Sequence, residues 1–271
     1  MGGLVIAFKN YSVIRGIWAS PWVGLDNFRK AFRAPDLLNV LRNTILISTY
    51  KLIFGFPAPI ILALLLNEIR NSKFKRCIQT ILYLPHFISW VVIYGIMLTM
   101  LSPSFGIVTG IFSLFGKEAP YLLVSTDHIR GLLVISSIWK EVGWGTIIYL
   151  AAFSTVDPCL YESAIIDGAN RWKQMIYITL PSISGVVVLL LILRIGNIMD
   201  AGFEQVQVFV QNNDYIRPVI DIFDTFVYRR GIQRADYSYS TTVGLFKSVV
   251  SLILIASADR IAKLIGEEGL L

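Results

Sequence analysis

From Asn43 to Leu66 the chain runs almost free of charge, interrupted only by Lys51. Comparable apolar runs recur at about Ile78–Leu101, Gly131–Phe153, Ser182–Ala201 and Ser238–Ile261. Each has roughly the 20 residues that a helix needs to cross the hydrocarbon core of a bilayer. In that medium every backbone N–H and C=O must find a partner inside the protein, which makes helix the form for such runs. Hydrophobic residues make up 55% of the 271 residues and charged residues 15%, whereas soluble domains carry about a quarter charged residues. The sequence therefore predicts an all-α membrane protein, a single domain over residues 1–271, built as a bundle of about five complete transmembrane helices. Pro57 and Pro59 are expected to kink the first of these, and Pro85 sits near one end of the second.

The segments between the spans set an orientation. Asn67–Arg76 carries Arg70, Lys73, Lys75 and Arg76 against the single Glu68, and short basic loops belong on the cytosolic side. Two spans later the chain is on the same side again, at residues 157–181. Arg260 and Lys263 place the C-terminus there too. The loops Ser102–Arg130 and Gly202–Tyr237 fall outside, the latter turn-rich and polar around Gln211-Asn212-Asn213-Asp214. One stretch runs against this topology: Lys9–Arg42 holds six Lys or Arg and falls outside. Within it, Trp22, Phe28 and Phe32 suit a short interfacial helix at headgroup depth. Met1–Phe8 is apolar but too short to span, and it lacks the basic n-region and cleavage site of a signal peptide.

The net charge of +6 fits an inner-membrane protein with basic loops, and no soluble basic domain suggests nucleic acid. Cys77 and Cys159 fall at span ends and read as reduced thiols. His86 and His128 are far apart and form no metal-ligand pattern. No nucleotide-binding loop, Ser/His/Asp or Cys/His arrangement or zinc motif is present, so no catalysis is expected.

Residues 157–181 are a polar, helix-forming insert between two apolar runs. Asp157-Pro158 supplies an N-cap acceptor and a proline at the first helical position. Leu160, Ala164 and Asp167 fall on one helical face. Gly168 ends the helix by turning where other residues strain. A second helical piece follows with Trp172, Ile176 and Leu180 four apart, and Pro181 opens the next apolar run. The expectation is a helix–turn–helix lying flat on a membrane face. Glu162-Ser163-Ala164, Gly168, Ile178 and Leu180-Pro181 resemble the "EAA" loop of binding-protein-dependent ABC importer permeases: Glu-Ala-Ala, three residues, Gly, nine residues, Ile-x-Leu-Pro. Ser163 is the one departure, small for small. Asp167-Gly168-Ala169 is similar to the sugar-transporting branch. Gly24–Phe28 is also similar to sugar-type permeases, and the phrases at Lys9–Asp26 and Gly266–Leu271 to those for complex polysaccharides.

That resemblance implies a type I importer permease fold with a first helix of which residues 1–8 are the remnant. It implies a heterodimeric pore with a second, homologous permease, two cytosolic ABC ATPase subunits and an extracytoplasmic solute-binding protein. ATP and Mg belong to the ATPases, and this chain binds no cofactor. The cargo is a carbohydrate. The ATPase-coupling residues are then Glu162, Ser163, Ala164, Asp167, Gly168, Ala169, Ile178, Leu180 and Pro181.

Charges inside spans are costly and usually face a partner or water. Six stand out: Lys51, Lys140, Glu141, Arg194, Asp200 and Lys247. Arg194, Asn197 and Asp200 step by three, which reads as a polar stripe on the fourth span. Trp139, Lys140 and Trp144 add aromatic and polar groups on the third. Lys140 and Glu141, being adjacent, point apart and do not read as an ion pair. Lys51 and Lys247 fit either a substrate path or stems snorkelling to an interface. Four of the six charges are basic, which favours an anionic cargo such as a uronate-containing oligosaccharide. The alternative is an ion-gradient-driven secondary transporter. It calls for acidic or broken-helix ion sites within an internal repeat, and no repeat is present.

Overall fold

The computed structural model describes residues 2–118, 120–211 and 213–266. Met1, Asn212 of the polar turn run and Glu267–Leu271 of the C-terminal phrase lie outside the described residues. Helices account for the ordered structure, and the described residues contain no β-sheet, only an isolated bridge between Lys9 and Trp22. After a 3-10 turn at Gly2–Phe8 the helices are α1 (Gly16–Ala19), α2 (Asp26–Arg33), α3 (Pro35–Gly55), α4 (Pro57–Asn67), α5 (Ser72–Tyr83) and α6 (Trp90–Met100). They continue with α7 (Ile107–Leu114), α8 (Ile129–Phe153), α9 (Pro158–Ile166), α10 (Arg171–Gln174), α11 (Leu180–Ser182) and α12 (Ser184–Gly196). The last are α13 (Phe203–Gln211), α14 (Arg217–Ile220), α15 (Phe223–Tyr228) and α16 (Tyr237–Ile265).

Two of the expected spans are continuous apolar helices, Asp36–Asn67 and Tyr237–Leu264. The first starts several residues before Asn43 and passes through the single turn residue Phe56, after which Pro57 opens α4 in the first-turn position, where the N–H it lacks would have no helical partner anyway. The third span, α8, has 25 residues and matches the expected bounds closely. The other two are interrupted. Between α5 and α6 lies a 3-10 turn, Leu84–Phe87, followed by extended Ile88 and Ser89, whose hydroxyl caps α6. The fourth span bends by 64° between Ser182 and Ser184 and ends at Gly196.

The chain forms two compact units. One comprises residues 1–50, 89–134 and 197–253. Its core contains Ile47, Tyr94, Ile129, Leu133, Phe209, Ile216 and Ile220, with a second cluster around Leu37, Phe223, Phe226 and Val243. Residues 202–237, expected as a polar external loop, are instead α13–α15 and contribute Phe209, Phe223 and Phe226, each almost fully buried. Their helices are too short to register as spans, yet their apolar faces fill this core.

Breaking a segment into short helices leaves backbone groups to be bonded. Asn39 donates to the Pro218 carbonyl (2.7 Å), and Asn43 donates to those of Pro218 (2.9 Å) and Asp221 (3.3 Å). Arg130 donates to the Val219 carbonyl (3.0 Å) and to Asn43 Oδ1 (2.8 Å). Thr44 Oγ1 accepts the Phe223 N–H at 3.0 Å, and Gln205 donates to the Leu133 carbonyl at 2.8 Å.

The other unit comprises residues 51–88, 135–196 and 254–271. Its helices approach closely where glycine permits. A Cβ on Gly143 would stand 2.0 Å from the Leu82 carbonyl oxygen, and one on Gly145 2.9 Å from Pro59. Ala63, Tyr149, Phe153 and Ile183 form its core.

Asn43 is wholly buried and makes three of these bonds. Asn43→Leu removes them: the Asp221 carbonyl loses its side-chain donor, and the Pro218 carbonyl and the Arg130 guanidinium, still bonded to Asn39 and Val219, are each one bond short, at a cost of about 1–3 kcal/mol. Thermal unfolding of the purified protein in detergent is expected to show a clear drop in Tm, whereas Asn39→Leu, at the exposed edge, costs less.

Candidate functional site

Residues 157–181 fold as the local rules dictate. The Asp157 carboxylate accepts the Cys159 N–H at 2.9 Å and caps α9. At the other end the Gly168 N–H donates to the Ile165 carbonyl (3.0 Å) and the Ala169 N–H to that of Ala164 (2.8 Å). That six-to-one and five-to-two pair is the Schellman closure of a helix, and it requires the left-handed φ of +74° at Gly168. Asn170 then caps α10 through the Lys173 N–H (2.9 Å).

The second piece differs from the expected single α-helix. α10 passes into a π-helical turn at Met175–Thr179, in which the Leu180 N–H reaches five residues back to Met175. The spacing of four therefore does not hold one face. Trp172 and Ile176 are exposed, while Leu180 is half-buried. Pro181 continues this helix to Ser182, and the bend to the next apolar helix falls at Ile183. The Tyr161 and Thr179 hydroxyls bond at 2.9 Å and tie the two pieces together. Arg171 lies 3.9 Å from Glu68, at the end of α4.

Of the expected coupling residues, Glu162, Ser163, Asp167, Gly168 and Pro181 are exposed, and Ala164, Ala169, Ile178 and Leu180 are half-buried. Leu160, Ile165, Ile166, Trp172, Ile176 and Tyr177 are exposed around them. Large apolar side chains clustered on a polar, capped corner are what a protein partner covers.

The mid-span charges have partners that sequence spacing did not reveal. Lys140 is buried and donates to the carbonyls of Pro85, His86 and Ile88, the turn that breaks the second span. Glu141 accepts from His86 Nδ1 at 2.8 Å and stands 3.9 Å from Lys140 Nζ. Adjacent positions on one helix thus meet after all, because the His86 turn lies against both. Trp144 stacks on His86, rings 4.5 Å apart and parallel within 3°. Trp139 is exposed and makes no ring contact among the described residues.

The proposed Arg194–Asn197–Asp200 stripe is not a helical face. α12 ends at Gly196, Asn197 and Asp200 lie in the turn beyond it, and Asp200 accepts the Gly202 N–H at 3.1 Å. Arg194 remains exposed on α12. Lys51 is buried, so it does not snorkel.

Asp200 and Lys247 do meet a common space, a cavity of about 760 Å³ within the first unit. Lys247 Nζ is bound there by both oxygens of Asp224, at 2.6 and 2.7 Å. Phe203, Tyr228 and Tyr237 supply aromatic wall, and Ser240 and Thr241 add hydroxyls. The volume lies within the ~300–1,000 Å³ of small-molecule sites. Asp224 lies in a segment whose turn-rich, polar composition predicts a loop, which masks it as a site residue. The apolar run around it, Val219 to Phe226, was the available signal.

Residues 55–267 match the family model described as "Binding-protein-dependent transport system inner membrane component". The chain belongs to that family. This inner membrane component is 51% identical over 271 residues to Protein LplB of Bacillus subtilis (strain 168), across 100% of this chain and 84% of the relative. It is 46% identical over 270 residues to the polygalacturonan/rhamnogalacturonan transport system permease protein YteP of the same organism, with the same coverage. It superposes on a chain of a bacterial alginate ABC transporter, crystallised with an alginate pentasaccharide-bound periplasmic protein. That match has a TM-score of 0.89 and 38% identity over 99% of this chain and 88% of the other. Both the corner at Gly168 and the Asp224–Lys247 pair of the inner membrane component lie inside the matched stretch.

The Asp224–Lys247 pair is mostly enclosed, each side chain about a quarter exposed. Asp224→Ala leaves an ammonium with no counter-ion and is expected to cost about 2 kcal/mol, discounted for its partial exposure. The double variant Asp224→Ala/Lys247→Met is expected to recover most of that. A double-mutant cycle on Tm in detergent checks it.

Proposed function

We propose that this chain is one half of the translocation path of an ATP-driven importer, and that its cargo is an oligosaccharide carrying uronic acids. A second, homologous permease supplies the other half. Two ABC ATPase subunits bind ATP and Mg beneath, and an extracytoplasmic solute-binding protein delivers the sugar from above. No cofactor is bound by this chain. The observation that carries the reading is the corner at residues 157–181: a capped, cross-tied helix pair exposing Ile166, Trp172 and Tyr177 on a chain of this family.

The orientation follows from charge. The basic loop Asn67–Arg76 and the corner lie on one side, and that side is the cytosol. Arg171 of the corner faces Glu68 at the start of that loop, which supports a common side. ATPase closure then moves the corner as a rigid body, with α9 and α10 as its arms and Gly168 fixing the angle between them. The carbohydrate assignment draws on the polysaccharide names of the relatives and on the aromatic and hydroxyl lining of the cavity. Sugar hydroxyls find acceptors in Asp200 and Asp224, and sugar faces stack on Phe203, Tyr228 or Tyr237.

The test is ATP hydrolysis and sugar uptake by the complex of this chain with its partner subunits in lipid vesicles, with the solute-binding protein and a panel of acidic and neutral oligosaccharides. Acidic sugars are expected to stimulate both activities. Around Gly168 a Cβ meets nothing within 4 Å, so Gly168→Val acts through backbone strain alone, about 1–2 kcal/mol. It is expected to leave Tm of the membrane body nearly unchanged while uptake per ATP falls at least tenfold. Uptake driven by an ion gradient without ATP overturns the reading.

A further inference from the structure

We infer that an arginine-lined pocket in the first unit is a binding site for the carboxylate of a single uronic acid residue, a position on the sugar's route distinct from the cavity at Asp224 and Lys247. This rests on the proposal that the cargo is an acidic oligosaccharide.

The pocket has a volume of about 290 Å³. Four guanidinium groups line it, those of Arg217, Arg229, Arg230 and Arg234, against two carboxylates, Asp36 and Asp221. Only one of the four is fully matched. Arg229 forms a two-pronged pair with Asp221, which is 7% exposed and also accepts from Thr225 Oγ1 at 2.7 Å. Arg230 stands 3.8 Å from Asp36, whose side chain is 67% exposed, a distance and an exposure at which an ion pair holds weakly. Arg217 pairs with Asp214, which lies outside the pocket, and its Nε is buried with no hydrogen-bond partner among the described residues. Arg234 is exposed and makes no side-chain hydrogen bond or ion pair among the described residues.

With Asp36, Asp221 and the Asp214 just outside counted as partners, one positive charge, that of Arg234, is left over in a small concave space, with donors to spare on three guanidinium groups. Buried N–H donors are normally bonded, and an orphan asks for an acceptor. The guanidinium fork matches a carboxylate with two parallel hydrogen bonds, which a lysine does not offer. Two of the four groups are also held in place by rings. Arg230 lies over the rings of Phe226 and Tyr239, at 5.6 and 5.0 Å, and Arg229 lies over Phe226 at 5.7 Å. Cations fixed on aromatic faces need little ordering when the anion arrives. Asn39 is pinned through its amide N–H to the Pro218 carbonyl, which leaves its side-chain oxygen for a sugar hydroxyl. The volume sits at the small end of ligand sites, about 300 Å³, so it takes one sugar unit and leaves the rest of the chain outside.

The helical segment Phe223–Gln233 has this pocket on one face and the larger cavity on the other. Phe226, Arg229 and Arg230 line the first, whereas Asp224, Tyr228 and Gly231 line the second. In the proposed orientation this segment lies on the extracytoplasmic side. The pocket thus selects for a carboxylate before the sugar reaches a cavity whose lining carries two aspartates and one lysine.

The test uses the complete complex in lipid nanodiscs, Arg234→Gln and Arg234→Lys. Arg234 is exposed and makes no side-chain hydrogen bond or ion pair among the described residues, so Tm is expected to be unchanged. Binding of a free di-galacturonate and of its carboxyl-reduced neutral counterpart is measured without the solute-binding protein, and uptake of both with it. Wild-type complex is expected to bind the acidic sugar at least tenfold more tightly than the neutral one. Arg234→Gln is expected to weaken acidic binding about tenfold and leave the neutral sugar unaffected, with Arg234→Lys intermediate. Unchanged acidic binding, or an equal loss for both sugars, overturns the inference while acidic uptake by wild type keeps the cargo assignment standing. A loss confined to affinity for the solute-binding protein, whatever sugar it carries, also overturns it and makes the pocket a protein-docking contact. If wild type takes up only neutral sugars, the cargo assignment itself fails.

Discussion

Asn43 shows the constraint that shapes the first unit. Its side chain is wholly buried on an apolar helix and bonds two carbonyls and a guanidinium. A membrane interior offers no water to a backbone group left over at a helix break, and each unmet group costs several kcal/mol. The segment from Gly202 to Tyr237 breaks several times, at Asn213, Asp221 and Arg234 among others. Asn39, Asn43, Thr44 and Arg130 are the polar residues on neighbouring helices that make those breaks tolerable. Lys140 plays the same part at the Leu84–Ile88 turn, where an ammonium with three donors meets three carbonyls. Polar side chains on spans are thus first of all the counterparts of broken backbone elsewhere.

That explains which parts of the fold were legible in the sequence. The ends of α8 and the start of α16 followed from apolar run length, and the corner at residues 157–181 from caps and a glycine, all of them short-range rules. The interior of 202–237 did not follow. Its helices are short, and the polar run around Gln211–Asp214 hid the burial of Phe209 and Ile216 on either side. The stripe of Arg194, Asn197 and Asp200 failed for a related reason. Spacing by three describes a face only while the helix lasts, and α12 stops at Gly196, where a Cβ would stand 2.1 Å from Ile255. Adjacency of Lys140 and Glu141 argued against a pair on one helix, and no single-helix argument foresees a turn such as that at His86 lying against both.

Counting charges in spans was also an incomplete guide to the cargo. Four of the six were basic. Yet Lys140 is spent on carbonyls and Lys247 on Asp224. The aspartates outnumber the lysine in the larger cavity. The positive charge without an ion-pair partner among the described residues is instead that of Arg234, beside the orphan Nε of Arg217 and the weak Arg230–Asp36 pair, in a segment whose polar composition predicts a loop. A formal charge reports on recognition only after its internal partners are subtracted, and that subtraction needs the fold.

The same reasoning distinguishes the corner from the arginine pocket by stiffness. A segment that transmits a push must keep its shape when loaded, so its own hydrogen bonds have to close on themselves. The corner does this: the Asp157 and Asn170 caps, the two bonds around Gly168 and the Tyr161–Thr179 bond all lie within residues 157–181. Its exposed residues, Ile166, Trp172 and Tyr177 among them, take no part in those bonds and stay available to a partner. The arginine pocket is built the opposite way, with Arg217 Nε left without a partner among the described residues and rings holding Arg230 beside it. One element closes its hydrogen bonds on itself, as the proposed lever requires, and the other leaves donors open, as the proposed carboxylate site requires.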